Sequence, residues 1–65
     1  MRHRIERIIN GTSMQPIIIY GDNDIGVIKT CNGIMEKVNE SMIIIAYRGE
    51  IEIFRDKSET KERSD

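Results

Sequence analysis

The chain has no leucine and no tryptophan, and only one cysteine, one histidine, one proline and one alanine among 65 residues. Cys31 stands alone, so an intramolecular disulfide is excluded. With His3 as the sole imidazole and no second cysteine, the chain has too few nitrogen and sulfur ligands for a zinc site of its own. A chain this short buries only about 60% of its unfolded surface, and without staples it is expected to gain core by associating with copies of itself. No apolar run approaches the length that crosses a bilayer, and no signal-peptide hydrophobic stretch follows Met1. A free thiol without a targeting signal reads as cytoplasmic. For the same reason the glycosylation-type triplets Asn10-Gly11-Thr12 and Asn39-Glu40-Ser41 carry no weight.

What is abundant is isoleucine, at fourteen residues. Its branched Cβ is stiff and suits a pleated sheet, whereas the scarce leucine and alanine are the residues a helix favours. The composition predicts an all-β domain, a small antiparallel meander or small barrel of four to five strands, with a short N-terminal helix as an option. Residues 1–55 read as one domain, and the charged residues 56–65 as a disordered tail without apolar side chains beyond Phe54.

Along the chain, Met1, Ile5, Ile8 and Ile9 fall at helical spacing, with Asn10-Gly11 as an acceptable helix end, but a strand over 5–9 fits nearly as well. Pro16 marks the start of a strand over 17–20. Gly21-Asp22-Asn23-Asp24 is a dense turn signal. Asn32-Gly33 predicts a type I′ turn joining strands 25–31 and 34–38 as a hairpin. Asn39-Glu40-Ser41 turns the chain into a strand over 42–47, and Arg48-Gly49 connects it tightly to 50–54. In that last strand Ile51 and Ile53 share one side, with Glu50, Glu52 and Phe54 on the other.

Two of these strands are apolar on both faces. Ile17 and Ile19 oppose Ile18 and Tyr20, and Met42, Ile44 and Ala46 oppose Ile43, Ile45 and Tyr47. One small core covers one face, so the other needs the amino-terminal segment, a second copy or a ligand. The interface candidates are therefore Ile17, Ile19, Tyr20, Met42, Ile43, Ile44, Ile45 and Tyr47. Another protein or a small ligand is a possible partner beside a homo-oligomer, and no membrane is implied.

Charge is unevenly spread. Arg2, Arg4 and Arg7 against Glu6 make residues 1–10 net +2, while residues 11–54 are net −3. This lowers the expectation of nucleic-acid binding, for which Arg2, Arg4, Arg7, Arg48 and Arg55 are the candidates. No catalytic, cofactor-binding or metal residues are identified. His3 reads as an exposed residue without a partner, and Cys31 as a strand-end residue with no histidine to activate it. Asp22-Asn23-Asp24 is similar to the opening of a calcium loop, but the remaining ligands are missing.

Tyr47-Arg48-Gly49-Glu50-Ile51, with Gly33, Val38 and Met42 upstream, resembles the motifs of Sm-like RNA-binding proteins. The chain departs from them in fitting only one strand between the motifs and in lacking their RNA-facing Asp and Asn. Gly21-Asp22, Ala46 and 50–55 resemble the carbon-storage-regulator family, with Tyr47 where that family has proline. No family residues are carried over. The expectation is a non-enzymatic, homo-oligomeric binding protein, an adaptor, inhibitor or small-ligand sequestering protein of prokaryotic or phage type. The alternative is an RNA- or DNA-binding regulator.

Overall fold

The computed structural model describes residues 2–58. Arg2–Ile9 form strand β1, Thr12–Ser13 β2, Ile17–Tyr20 β3, Met42–Arg48 β4 and Ile51–Ser58 β5, with helix α1 at Asp24–Lys37. The five strands build one antiparallel sheet. β1 pairs with β4 on one side and with both β2 and β3 on the other, and β5 lies outside β4. The fold is therefore mainly β, as the isoleucine content implies.

The amino-terminal segment is a strand, not a helix, and it sits inside the sheet rather than across its face. Asn10-Gly11 is the reason. Asn10 has φ 51° and Gly11 φ 83°, and Ile9 pairs with Thr12. Two consecutive left-handed residues make the tight turn whose twist suits a hairpin. Edge strand β3 starts just after Pro16, where the missing N–H leaves no ladder bond unmade.

The hairpin expected around Asn32-Gly33 does not form. Residues 24–37 are α1, and the two predicted strands are its halves. Asn23 caps the helix, its side chain accepting a hydrogen bond from the Gly26 N–H at 2.8 Å. Asp24 in the first turn and Lys37 in the last match the helix dipole. Val27, Cys31, Ile34 and Met35 recur at helical spacing and meet the sheet, with Val27 and Cys31 wholly buried. That stripe outweighs the turn preference of one dipeptide, because tertiary burial of an amphipathic face supplies most of a helix's stability.

The core consists of Ile5 (β1), Val27 and Cys31 (α1), and Ile44 and Ala46 (β4), flanked by Ile17, Ile19, Ile34, Met35, Ile53 and Phe54. α1 lies on β4 and β5. Phe54 belongs to the core side, contrary to strict alternation along β5. The register slips between Ala46 and Tyr47, so that Ala46 faces Phe54 and Tyr47 faces Glu52. Ile53 is the extra residue of a β-bulge, which turns Phe54 inward and leaves Ile51 58% exposed. β5 also runs to Ser58, past the expected domain boundary at residue 55, with Asp56, Lys57 and Ser58 opposite Ile44, Ile43 and Met42. The rest of the expected tail, residues 59–65, lies outside the described residues.

Gly33 gives a sign test of this arrangement. A Cβ there meets nothing within 4 Å. Gly33→Ala is expected to stabilise the protein by about 0.5–1 kcal/mol, the ordinary helix-propensity gain. In a type I′ turn the same change would destabilise it. Chemical denaturation of the variant reads the sign directly.

Candidate functional site

The register sorts every strand side chain onto one of two faces. Ile5, Ile44 and Ala46 point to α1, so Arg4, Glu6 and Ile8 of β1 and Ile43, Ile45 and Tyr47 of β4 point away from it. Pairing extends this helix-free face to Arg2, Ile18 and Tyr20 on one side and to Glu52, Arg55 and Lys57 on the other. One row across the sheet reads Ile18, Arg4, Tyr47, Glu52; the next reads Glu6, Ile45, Arg55; the third reads Ile8, Ile43, Lys57. Apolar side chains run along the middle and charged ones flank them.

The flanking charges are organised. Arg55 holds Glu52 by two hydrogen bonds, at 3.1 and 2.9 Å, which lowers the Glu52 pKa and raises that of Arg55. The Arg4 guanidinium lies 4.5 Å from the Tyr47 ring centre, a cation–π contact. Its Nε is 3.0 Å from Glu6 Oε2 without the alignment of a hydrogen bond. Ile45 is only 8% exposed although no element among the described residues covers it, whereas Ile18 and Tyr20 are 37% and 74% exposed. The stems of neighbouring charged side chains screen the middle of the face and leave its β3 side open.

The interface candidates are divided by this geometry. Ile17, Ile19, Met42 and Ile44 lie on the helix side and belong to or border the core, while Tyr20, Ile43, Ile45 and Tyr47 occupy the helix-free face. The arginine candidates divide likewise. Arg2, Arg4 and Arg55 are on the helix-free face, and Arg7 and Arg48 are on the other. Arg7 donates to the Gln15 carbonyl at 3.2 Å.

His3 is not an exposed bystander. It is 1% exposed, and its Nε2 donates to Asp24 Oδ1 at 2.9 Å, while Arg48 donates to Asp24 Oδ2. Asp24 thus ties the start of α1 to β1 and β4, and the bond from His3, followed by the charge of Arg48, holds its carboxyl below the usual range. The cross-strand pair His3 and Arg48 sets this geometry. The sequence signal available for it was the cap: Asn23 as N-cap places Asp24 at the first helical position. Cys31 lies in the core, where burial raises its thiol pKa and keeps it unreactive.

Gly33 and Val38, two positions of the Sm-like resemblance, fall inside α1 and at its C-cap rather than in strands. Among the described residues, no three His, Cys, Asp or Glu side chains converge as a metal site, and no helix is long and apolar enough to cross a membrane. No protein-family model, curated protein or solved structure matches the chain.

Proposed function

We propose that this protein is a non-enzymatic binding module that works as a homodimer, two copies meeting through their helix-free sheet faces. The observation that carries this reading is the row of Ile8, Ile43, Ile45 and Tyr47 along the middle of a face that no element among the described residues covers. The alternation of Arg4, Arg55 and Lys57 with Glu6 and Glu52 around that row suits a two-fold pairing, in which an acid of one copy meets a base of the other.

Face pairing is favoured over edge pairing. The outer strand β5 carries Glu52, Arg55, Asp56 and Lys57 and is bent by a bulge, the devices that discourage edge-to-edge association. Four strands about 4.8 Å apart and roughly 23 Å long offer about 900 Å² over both copies. That lies below the ~1,200 Å² of stable complexes, so the dimer forms reversibly as concentration rises. Light scattering across micromolar concentrations tests the reading. A mass rising from one copy towards two supports it, and a monomer throughout that range defeats it.

A further inference from the structure

We propose that the cleft between the start of β1 and the β4–β5 turn binds a phosphate group. The cleft has a volume of about 560 Å³ and is lined by Arg2, Arg4, Arg48, Gly49 and Glu50. The antiparallel register gathers them: β1 begins where β4 ends, with His3 opposite Arg48 and Arg4 opposite Tyr47, and the Gly49 N–H donating to the Arg2 carbonyl. Gly49 at φ 62° turns the chain tightly there, which brings Glu50 to the rim.

Three arginines line this end of the sheet, Arg2 and Arg4 from the helix-free face and Arg48 from the helix side, and like charges gathered there repel one another unless something offsets them. Two are pinned from outside the lining. Asp24 takes one nitrogen of Arg48, leaving most of its fork of donors, and the Tyr47 ring holds Arg4. Asp24 and Glu6, which do not line the cleft, offset the charges of Arg48 and Arg4 from behind, so within the lining the one carboxylate, Glu50, stands against Arg2. Arg2 makes no side-chain ion pair among the described residues. Pre-positioned guanidinium forks are the donors that match a phosphate with paired hydrogen bonds, and pinning two of them lowers the ordering cost of binding.

The cleft is larger than a phosphate alone, and Tyr20, cross-strand neighbour of Arg2, offers an exposed ring beside it for a planar group. The phosphate of a nucleotide fits this pairing, whether the nucleotide is free or part of a single strand. The site lies at the opposite end of β1 from the Ile8–Ile43 row but shares Arg4 and the Tyr47 ring with the helix-free face, so the titration is run at a concentration where light scattering gives a single copy.

Amide and arginine side-chain NMR shifts, followed during titration with inorganic phosphate, AMP or a short oligothymidylate at low ionic strength, test the site. Saturable shifts confined to Arg2, Arg4, Arg48 and Gly49 are expected, with equimolar chloride giving none. Arg2→Gln should weaken binding about tenfold, the scale of a lost charge-assisted hydrogen bond. Glu50→Gln should tighten it about threefold by removing the one opposing charge. Both side chains are exposed, so neither change disturbs the core. Saturation with phosphate and AMP assigns a free ligand, and saturation with the oligonucleotide alone assigns a strand. Shifts that never saturate, that chloride reproduces, or that ignore both substitutions overturn the proposal.

Discussion

Ile44→Asp is expected to unfold the protein, while Ile43→Asp, one residue earlier, leaves the fold intact and abolishes self-association. Ile44 is wholly buried against α1. Replacing it removes apolar burial worth about 2–5 kcal/mol and places an unpaired carboxylate in the core, a further cost of several kcal/mol. A single small core supplies only ~3–5 kcal/mol, so the sum exceeds the whole stability. Ile43 is half-buried on the other face, between Ile8 and Lys57, where an aspartate remains in contact with water. Far-ultraviolet circular dichroism and light scattering on both variants separate the outcomes. Equal unfolding by both would mean that the two faces are energetically alike and that the helix-free face is not an interface.

Asp24→Asn should lower the thermal midpoint at neutral pH more than any surface carboxamide exchange, because one carboxylate serves two partners. It removes the charge that accepts from the buried His3 and from Arg48, at the point where α1 is tied to β1 and β4. The pH dependence has a definite sign. The folded-state pKa of Asp24 is lowered, first by the His3 hydrogen bond, so its contribution is present above the unfolded value of about 4 and fades as pH falls through the folded value. The wild type should therefore lose stability below about pH 4, and Asp24→Asn should lose less of it over the same window. The remaining acid slope belongs in part to Glu52, whose pKa Arg55 lowers on the opposite face. Superimposable profiles for the two proteins would contradict this role.

The β character of the chain was legible because isoleucine dominates and because runs such as 17–20 and 42–47 are too short and too apolar for anything else. Which face of 42–47 is core was not. Both faces read as apolar, and only pairing with β1 and the position of α1 turn Met42, Ile44 and Ala46 inward. The helix was masked by a dipeptide. Asn-Gly occurs twice, and at 10–11 it makes the left-handed turn, whereas at 32–33 it is helical. The difference lies in the neighbours: Val27, Cys31, Ile34 and Met35 repeat at helical spacing around the second pair, while Ile9 and Thr12 pair across the first. Phe54 escaped because a bulge changes the side-chain period of two that alternation assumes. The His3–Asp24–Arg48 cluster escaped because its members are 21 and 24 residues apart, a distance only the register closes.

Isotope-filtered NMR on a mixture of labelled and unlabelled protein tests the central claim most directly, by recording contacts between copies alone. The homodimer predicts intermolecular NOEs among the methyl groups of Ile8, Ile18, Ile43 and Ile45 and the ring of Tyr47. Intermolecular NOEs confined to the β5 edge, or none at concentrations where the mass has doubled, would contradict it.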